Sequence, residues 1–166
     1  MLKFLFRGLT AEAPHATVLF DALTAETRQT HWYVEGAVPD TLDGRFAVLA
    51  TVLALLLVRL EQEGEAGDRL SVALTERFIH VMESEHRELG LGDPTLGKTV
   101  RKLVAMLGRR VELWREAEDE LEATRESLYR DEVPEEALRH SAAALRDLAA
   151  RLEATPLADL ERGRIA

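Results

Sequence analysis

The sequence predicts an all-α fold, a single-domain helical bundle of about five helices with a long fourth helix. Apolar residues recur at spacings of three and four along most of the 166 residues, and no run alternates polar and apolar as a half-buried strand does. No internal repeat or low-complexity tract breaks the pattern. A chain of this length buries a core without disulfides or a structural metal. With no cysteine, thiol nucleophiles, thiol redox chemistry and thiolate metal sites are excluded.

The first helix is expected over Ala11 to Gln29, with Val18, Leu19, Ala22 and Leu23 facing inward. A second begins after Pro39, with Asp40 or Thr41 as its cap, and runs to about Glu63. Its apolar residues crowd more than one face, which makes it the central helix with neighbours all round. The run Phe46 to Val58 is thirteen residues between two arginines, short of the ~20 needed to span a bilayer. Gly64 to Gly67 reads as a linker, and Asp68 as the cap of a third helix over Arg69 to Leu89, burying Leu70, Leu74, Phe78, Val81, Met82 and Leu89.

The fourth helix is expected from Pro94 to about Tyr129, with a seam through Val100, Val104, Leu107, Val111, Trp114 and Leu121. It would be on the order of 50 Å long, so its second half should project, or bend at Gly108. A fifth helix after Pro134, carrying Leu138, Leu145, Leu148 and Leu152, is expected to fold back on it. At the N-terminus, MLKFLFRG has an apolar stretch too short for a signal peptide. Packing on the domain or fraying is its simpler fate, and touching a membrane surface the alternative.

Charge is segregated along the chain. Thirty acids against twenty-one bases give a net −9, which argues against a general nucleic-acid binder, and no DNA partner is expected. Pro94 to Arg110 holds Lys98, Arg101, Lys102, Arg109 and Arg110 and no acid, whereas Glu112 to Glu136 holds eleven acids and three arginines. Cations in the first turns of a helix oppose its dipole. Lys98, Arg101 and Lys102 therefore point either to an external partner or to pairing with a neighbouring acidic helix.

LGLGDPTLGKTV, Leu89 to Val100, matches the letters of a phosphate-binding loop through Gly92, Gly97, Lys98 and Thr99. Such a loop must follow a buried strand, and what precedes Gly90 is a helical pattern. The same residues work as punctuation between helices: Gly90 in a left-handed C′ position, Leu91 making the contact that follows such a cap, Asp93 as the next N-cap and Pro94 at the first helical position. A nucleotide-binding protein using Lys98 and Thr99 is the alternative function.

Catalytic constellations are scarce. The serines at 71, 84, 127 and 141 lie in helical patterns without a placed base, so no enzyme activity, catalytic residue or cofactor is expected. Glu83 and His86 form one Glu-x-x-His pair, but a di-metal bundle site needs two, and no metal is expected. His86 is read as a partly buried, locally bonded side chain, and His80 and His140 as solvated.

VPDTLDGRF (Val38 to Phe46), the leucine-rich helix ending at Val58-Arg59-Leu60, and HRELGLGDPTLGKTVRKL (His86 to Leu103) together resemble the ubiquinol–cytochrome c chaperone family of alphaproteobacteria and mitochondria. The similarity runs over roughly Ala11 to Trp114, and the tail beyond about Tyr129 carries no motif of it. The resemblance implies a helical, non-enzymatic assembly factor for respiratory complex III that binds newly made apo-cytochrome b. Mitochondrial members work with a small partner protein at the ribosomal tunnel exit.

Carried onto this chain, the resemblance nominates Val38, Pro39, Asp40, Thr41, Gly44, Arg45 and Phe46 as one motif and Gly90, Gly92, Asp93, Gly97 and Lys98 as another. Arg101 and Lys102 join them as candidates for meeting a ribosome, the inner-membrane surface or an acidic partner. Residues 1–130 would form the chaperone-like domain and 131–166 a helical extension packed on it. Eighteen arginines against three lysines fit a GC-rich bacterial genome. The expected location is the bacterial cytoplasm, with a peripheral position on the inner membrane as the alternative, and the expected state a monomer or weak homodimer.

Overall fold

The computed structural model describes residues 14–88, 90 and 93–166, except the side chains of His86, Asp93, Pro94 and Leu96. The expectations for MLKFLFRG, Ala11, Leu89, Leu91, Gly92, the His86 side chain and the Asp93 cap lie outside the described residues. The helices are α1 (Pro14–Thr27), α2 (Leu42–Leu60), α3 (Gly64–Glu88), α4 (Asp93–Glu116), α5 (Glu120–Leu128), α6 (Glu135–Ala154) and a single turn, α7 (Leu157–Leu160). Short 3-10 turns at Thr30–Trp32 and Glu61–Glu63 complete them, and no strand occurs among the described residues.

Helix α2 is the hub, as its all-round apolarity predicts. Fifteen of its nineteen residues are buried, and α1, α3, α4, α5 and α6 all pack on it. Val48, Ala50, Val52, Leu53, Ala54 and Leu56 have no exposed surface at all. Each fully buried Leu or Val contributes roughly 1.5–3 kcal/mol, so this one helix dominates the apolar burial. Thr41 provides the N-cap, its hydroxyl accepting from the Gly44 amide at 3.2 Å. At the other end Arg59, buried, donates to the carbonyls of Leu152 and Thr155 at 3.2 Å each and pairs with Glu63 at 2.7 Å. A cation thus sits on the C-terminal carbonyls of α6, where the helix dipole favours it.

Helix α1 buries Ala16, Leu19, Phe20, Leu23 and Thr27. The expected inward face is rotated: Val18 is 47% exposed and Ala22 only half-buried, because the Val18-Leu19-Phe20 run fits two helix faces and the larger Phe20 takes the core. The GEAG stretch is not a linker. The turn at Glu61–Glu63 leads directly into α3, with Gly64 alone at positive φ making the reversal. Gly67 lies inside the helix, where a Cβ would come within 2.0 Å of the Leu60 carbonyl. Leu70, Leu74, Phe78 and Met82 form the buried face of α3, with Val81 half-buried.

The fourth helix is neither as long as expected nor the longest. It ends at Glu116 with 24 residues against 25 in α3, stays helical through Gly108, and breaks at residues 117–119. Asp119 then caps α5, its carboxylate accepting from Leu121 N at 2.9 Å and Glu122 N at 3.2 Å. The seven-residue step from Trp114 to Leu121 imitates a continuous seam, yet Leu121 is 37% exposed after the break. Helix α5 folds back on α4, held by Trp114 Nε1 donating to Ser127 Oγ at 2.9 Å. Helix α6 buries Leu138, Leu145, Leu148 and Leu152 against α2 and α5.

Candidate functional site

The return of α5 encloses a cleft of about 990 Å³ between the start of α2, the second half of α4, α5 and the segment leading to α6. Its floor is apolar: Phe46, Ala47, Ala123 and Leu128 are buried there, and Met106 and Leu113 are half-buried. Nine acids and three arginines line it, and all nine acids are exposed. Apolar surface below and carboxylates above are therefore sorted by burial.

Arg110 lies within the floor. Its guanidinium donates to Thr51 Oγ1 at 3.3 Å, to the Met106 carbonyl at 3.1 Å and to the Ser127 carbonyl at 2.7 Å, and it stands 5.7 Å from the centre of the Phe46 ring. No carboxylate pairs with it among the described residues. Burial, with Arg109 and Arg130 nearby, brings its pKa down to about 10, and it remains a cation at neutral pH. Arg110 thus fastens α4 to α2 and to the C-terminal carbonyls of α5, the position a helix dipole reserves for positive charge. Across the mouth Arg130 pairs with Asp43 at 3.0 Å.

The candidate residues divide between two places. Pro39, Thr41, Gly44 and Phe46 line the cleft, and Val38, Asp40 and Arg45 build the turn behind them. Val38 is buried, and Arg45 Nε donates to Asp40 at 2.7 Å, which holds the Asp40 carboxyl below the usual carboxylate range. Gly44 is fixed by space: a Cβ there would lie 1.8 Å from the Pro39 carbonyl oxygen. This motif is first a device for starting α2.

Of the second group, Gly90, Gly97 and Lys98 do not line the cleft. Gly90 ends α3 at φ 81°, as its C′ role requires. Gly97, Lys98 and Thr99 are already within α4, and a Cβ on Gly97 would meet nothing within 4 Å, so packing gives no reason for glycine there. The strand a phosphate loop requires is absent among the described residues. Lys98, Arg101 and Lys102 share the outer face of α4, with Arg109 further along it at the edge of the cleft; all four are exposed, and none forms an ion pair among the described residues. Pairing with a neighbouring acidic helix therefore does not explain them.

Sequence reasoning missed Arg110 as a floor residue and the acids as one wall of a cleft. The acid-rich block was visible, but nothing local marks its return toward Phe46. His140 is also not solvated: its Nε2 is 3.1 Å from His31 Nδ1, and the pair is half-buried. Among the described residues no group of three or more His, Asp or Glu side chains is placed to hold a metal ion.

A family model described as ubiquinol-cytochrome C chaperone matches residues 35–166. The chain belongs to this family. The match takes in the first motif, the whole cleft and the tail beyond Tyr129, which sequence reading left outside the resemblance. No curated protein matches the sequence at a significant level. A solved structure, the crystal structure of the Cbp3 homolog from Brucella abortus, is similar over 100% of this chain and 96% of that one, with a TM-score of 0.77 and 26% identity. The ubiquinol-cytochrome c chaperone fold is thus the all-α bundle described above, and no described helix is long and apolar enough to cross a membrane.

Proposed function

We propose that this chaperone acts in assembly of the respiratory ubiquinol–cytochrome c reductase by binding newly made cytochrome b, without catalysing a reaction. The observation that carries the reading is the family match spanning a cleft whose floor is apolar and whose lip is built by the Pro39 to Phe46 turn. A helical groove binds an apolar segment by burying one face of it, and the half-buried Met106 and Leu113 are the apolar surface this cleft offers such a client.

The unpaired cations of α4 supply a second surface. Lys98, Arg101 and Lys102 form a stripe suited to an anionic partner, either the ribosome or the cytoplasmic leaflet of the inner membrane. On this reading the protein works in the bacterial cytoplasm or at the membrane periphery, where nascent cytochrome b emerges. The test is affinity purification of the tagged protein from gently solubilised cells of its native host, with mass spectrometry of what remains bound. The reading predicts enrichment of cytochrome b over other subunits of the complex. Specific partners without cytochrome b would overturn it.

A further inference from the structure

The acids of the cleft outnumber the cations that could offset them. Glu112, Glu116, Glu118, Glu126, Asp131 and Glu132 are exposed and make no ion pair among the described residues. Like charges gathered around one cleft repel one another. Glu112 and Glu116 stand in the last two turns of α4, where the helix dipole disfavours negative charge, with Arg115 between them shared with Glu61. Three arginines also line the cleft, but Arg110 is taken up by Thr51, Met106 and Ser127 and Arg130 by Asp43, so negative charge remains in excess. An occupant that brings positive charge would offset this excess.

The floor bears on the rest of the occupant. Met106 and Leu113, half-buried over the buried Phe46 and Leu128, offer apolar surface, which suits an occupant with an apolar body as well as a cationic end. An anionic small molecule is repelled by the nine carboxylates, and a purely basic peptide would leave the floor unused. Apolar runs bordered by Lys and Arg are what membrane helices carry at their cytoplasmic ends, because positive residues accumulate in the loops that stay inside.

We infer that the cleft takes the cytoplasmic end of a membrane helix, its apolar turns seated on Met106 and Leu113 and its flanking Lys or Arg residues among Glu116, Glu118 and Glu126. This rests on the chaperone reading and adds the part of the client that is recognised. It divides the molecule's charge into two tasks: the acidic cleft meets the client, and the basic stripe of α4 meets an anionic surface.

The experiment uses the full chain, three synthetic peptides and one variant. The peptides share a central Leu/Ala run and are flanked by three Lys, three Ser or three Glu, with affinity read by fluorescence anisotropy. The expected order is Lys over Ser over Glu, spanning at least about tenfold. The variant Glu116→Gln, Glu118→Gln, Glu126→Gln should bind the Lys peptide about tenfold more weakly, from three exposed pairs lost. Its melting temperature should hold or rise as repulsion is relieved, which separates a lost site from a lost fold. Equal affinity for the three peptides, or an unchanged variant, overturns the assignment. Both proteins are then used to co-purify cytochrome b. If it accompanies both equally, the cleft assignment fails and the chaperone reading stands. If it accompanies neither while the Lys preference holds, the cytochrome b reading fails and the cleft assignment stands.

Discussion

The Arg110 guanidinium donates to the Ser127 carbonyl at 2.7 Å, across seventeen residues of sequence, and that bond closes the cleft. It joins the middle of α4 to the last turn of α5, and the same side chain reaches Thr51 on α2. Three helices that form the floor are therefore fastened by one buried cation.

Replacing Arg110 by Leu keeps apolar bulk and removes all three donations, leaving the Ser127 carbonyl and Thr51 hydroxyl short of a donor. The expected loss is about 2–3 kcal/mol in urea unfolding. Arg110→Lys should recover little of it, since one ammonium cannot span Thr51, Met106 and Ser127.

Gly44→Ala tests the start of α2. A Cβ 1.8 Å from the Pro39 carbonyl must push the Val38–Thr41 turn aside. Overpacking of this kind costs about 1–3 kcal/mol, and the upper end is expected where backbone is the obstacle. Gly97→Ala is the matched control: with nothing within 4 Å of its Cβ inside a helix, it should be neutral or stabilising.

His31 gives stability a pH dependence. Its pKa is lowered chiefly by burial and then by His140, against smaller opposing effects of Glu35 and Glu26. Below the ordinary value of about 6.5 the unfolded chain takes a proton that folded His31 resists, so the unfolded state binds more protons there and stability rises with pH. The melting temperature should fall as pH drops from neutral through that value, and His31→Gln should flatten that part of the curve. An unchanged slope in the variant would assign the effect to other groups.

Lys98→Glu, Arg101→Glu and Lys102→Glu together should leave helix content and melting intact, because these side chains are exposed and unpaired. Co-sedimentation with ribosomes or anionic vesicles should weaken, with a steep salt dependence in the wild type. Unchanged association would remove the stripe from the account.

Legibility in the sequence followed the range of the interactions. The apolar crowding of Phe46 to Val58 identified the central helix, and the α2 cap at Asp40 or Thr41 and the Gly90 cap were readable because capping is decided within a few residues, Thr41 being the one that serves. The break at residues 117–119 was not readable, since Asp119 caps a helix as readily as it rides on one and Trp114 to Leu121 keeps the seven-residue step. The cleft depends on Trp114 and Arg110 meeting Ser127 after the chain reverses, a pairing no local pattern encodes. The Val38 to Phe46 motif was visible as a helix start, but its adjacency to the acid block is a product of that reversal. In α3, two glycines in four residues suggested a linker, whereas one makes a turn and the other lets Leu60 approach.

The most direct test of the central claim places a photo-crosslinking amino acid at Leu113, in the cleft, and at Val72, exposed on α3 outside it, and irradiates growing cells. The account predicts adducts between position 113 and a helix end of cytochrome b, and none from position 72. Adducts to cytochrome b from position 72 alone would contradict it.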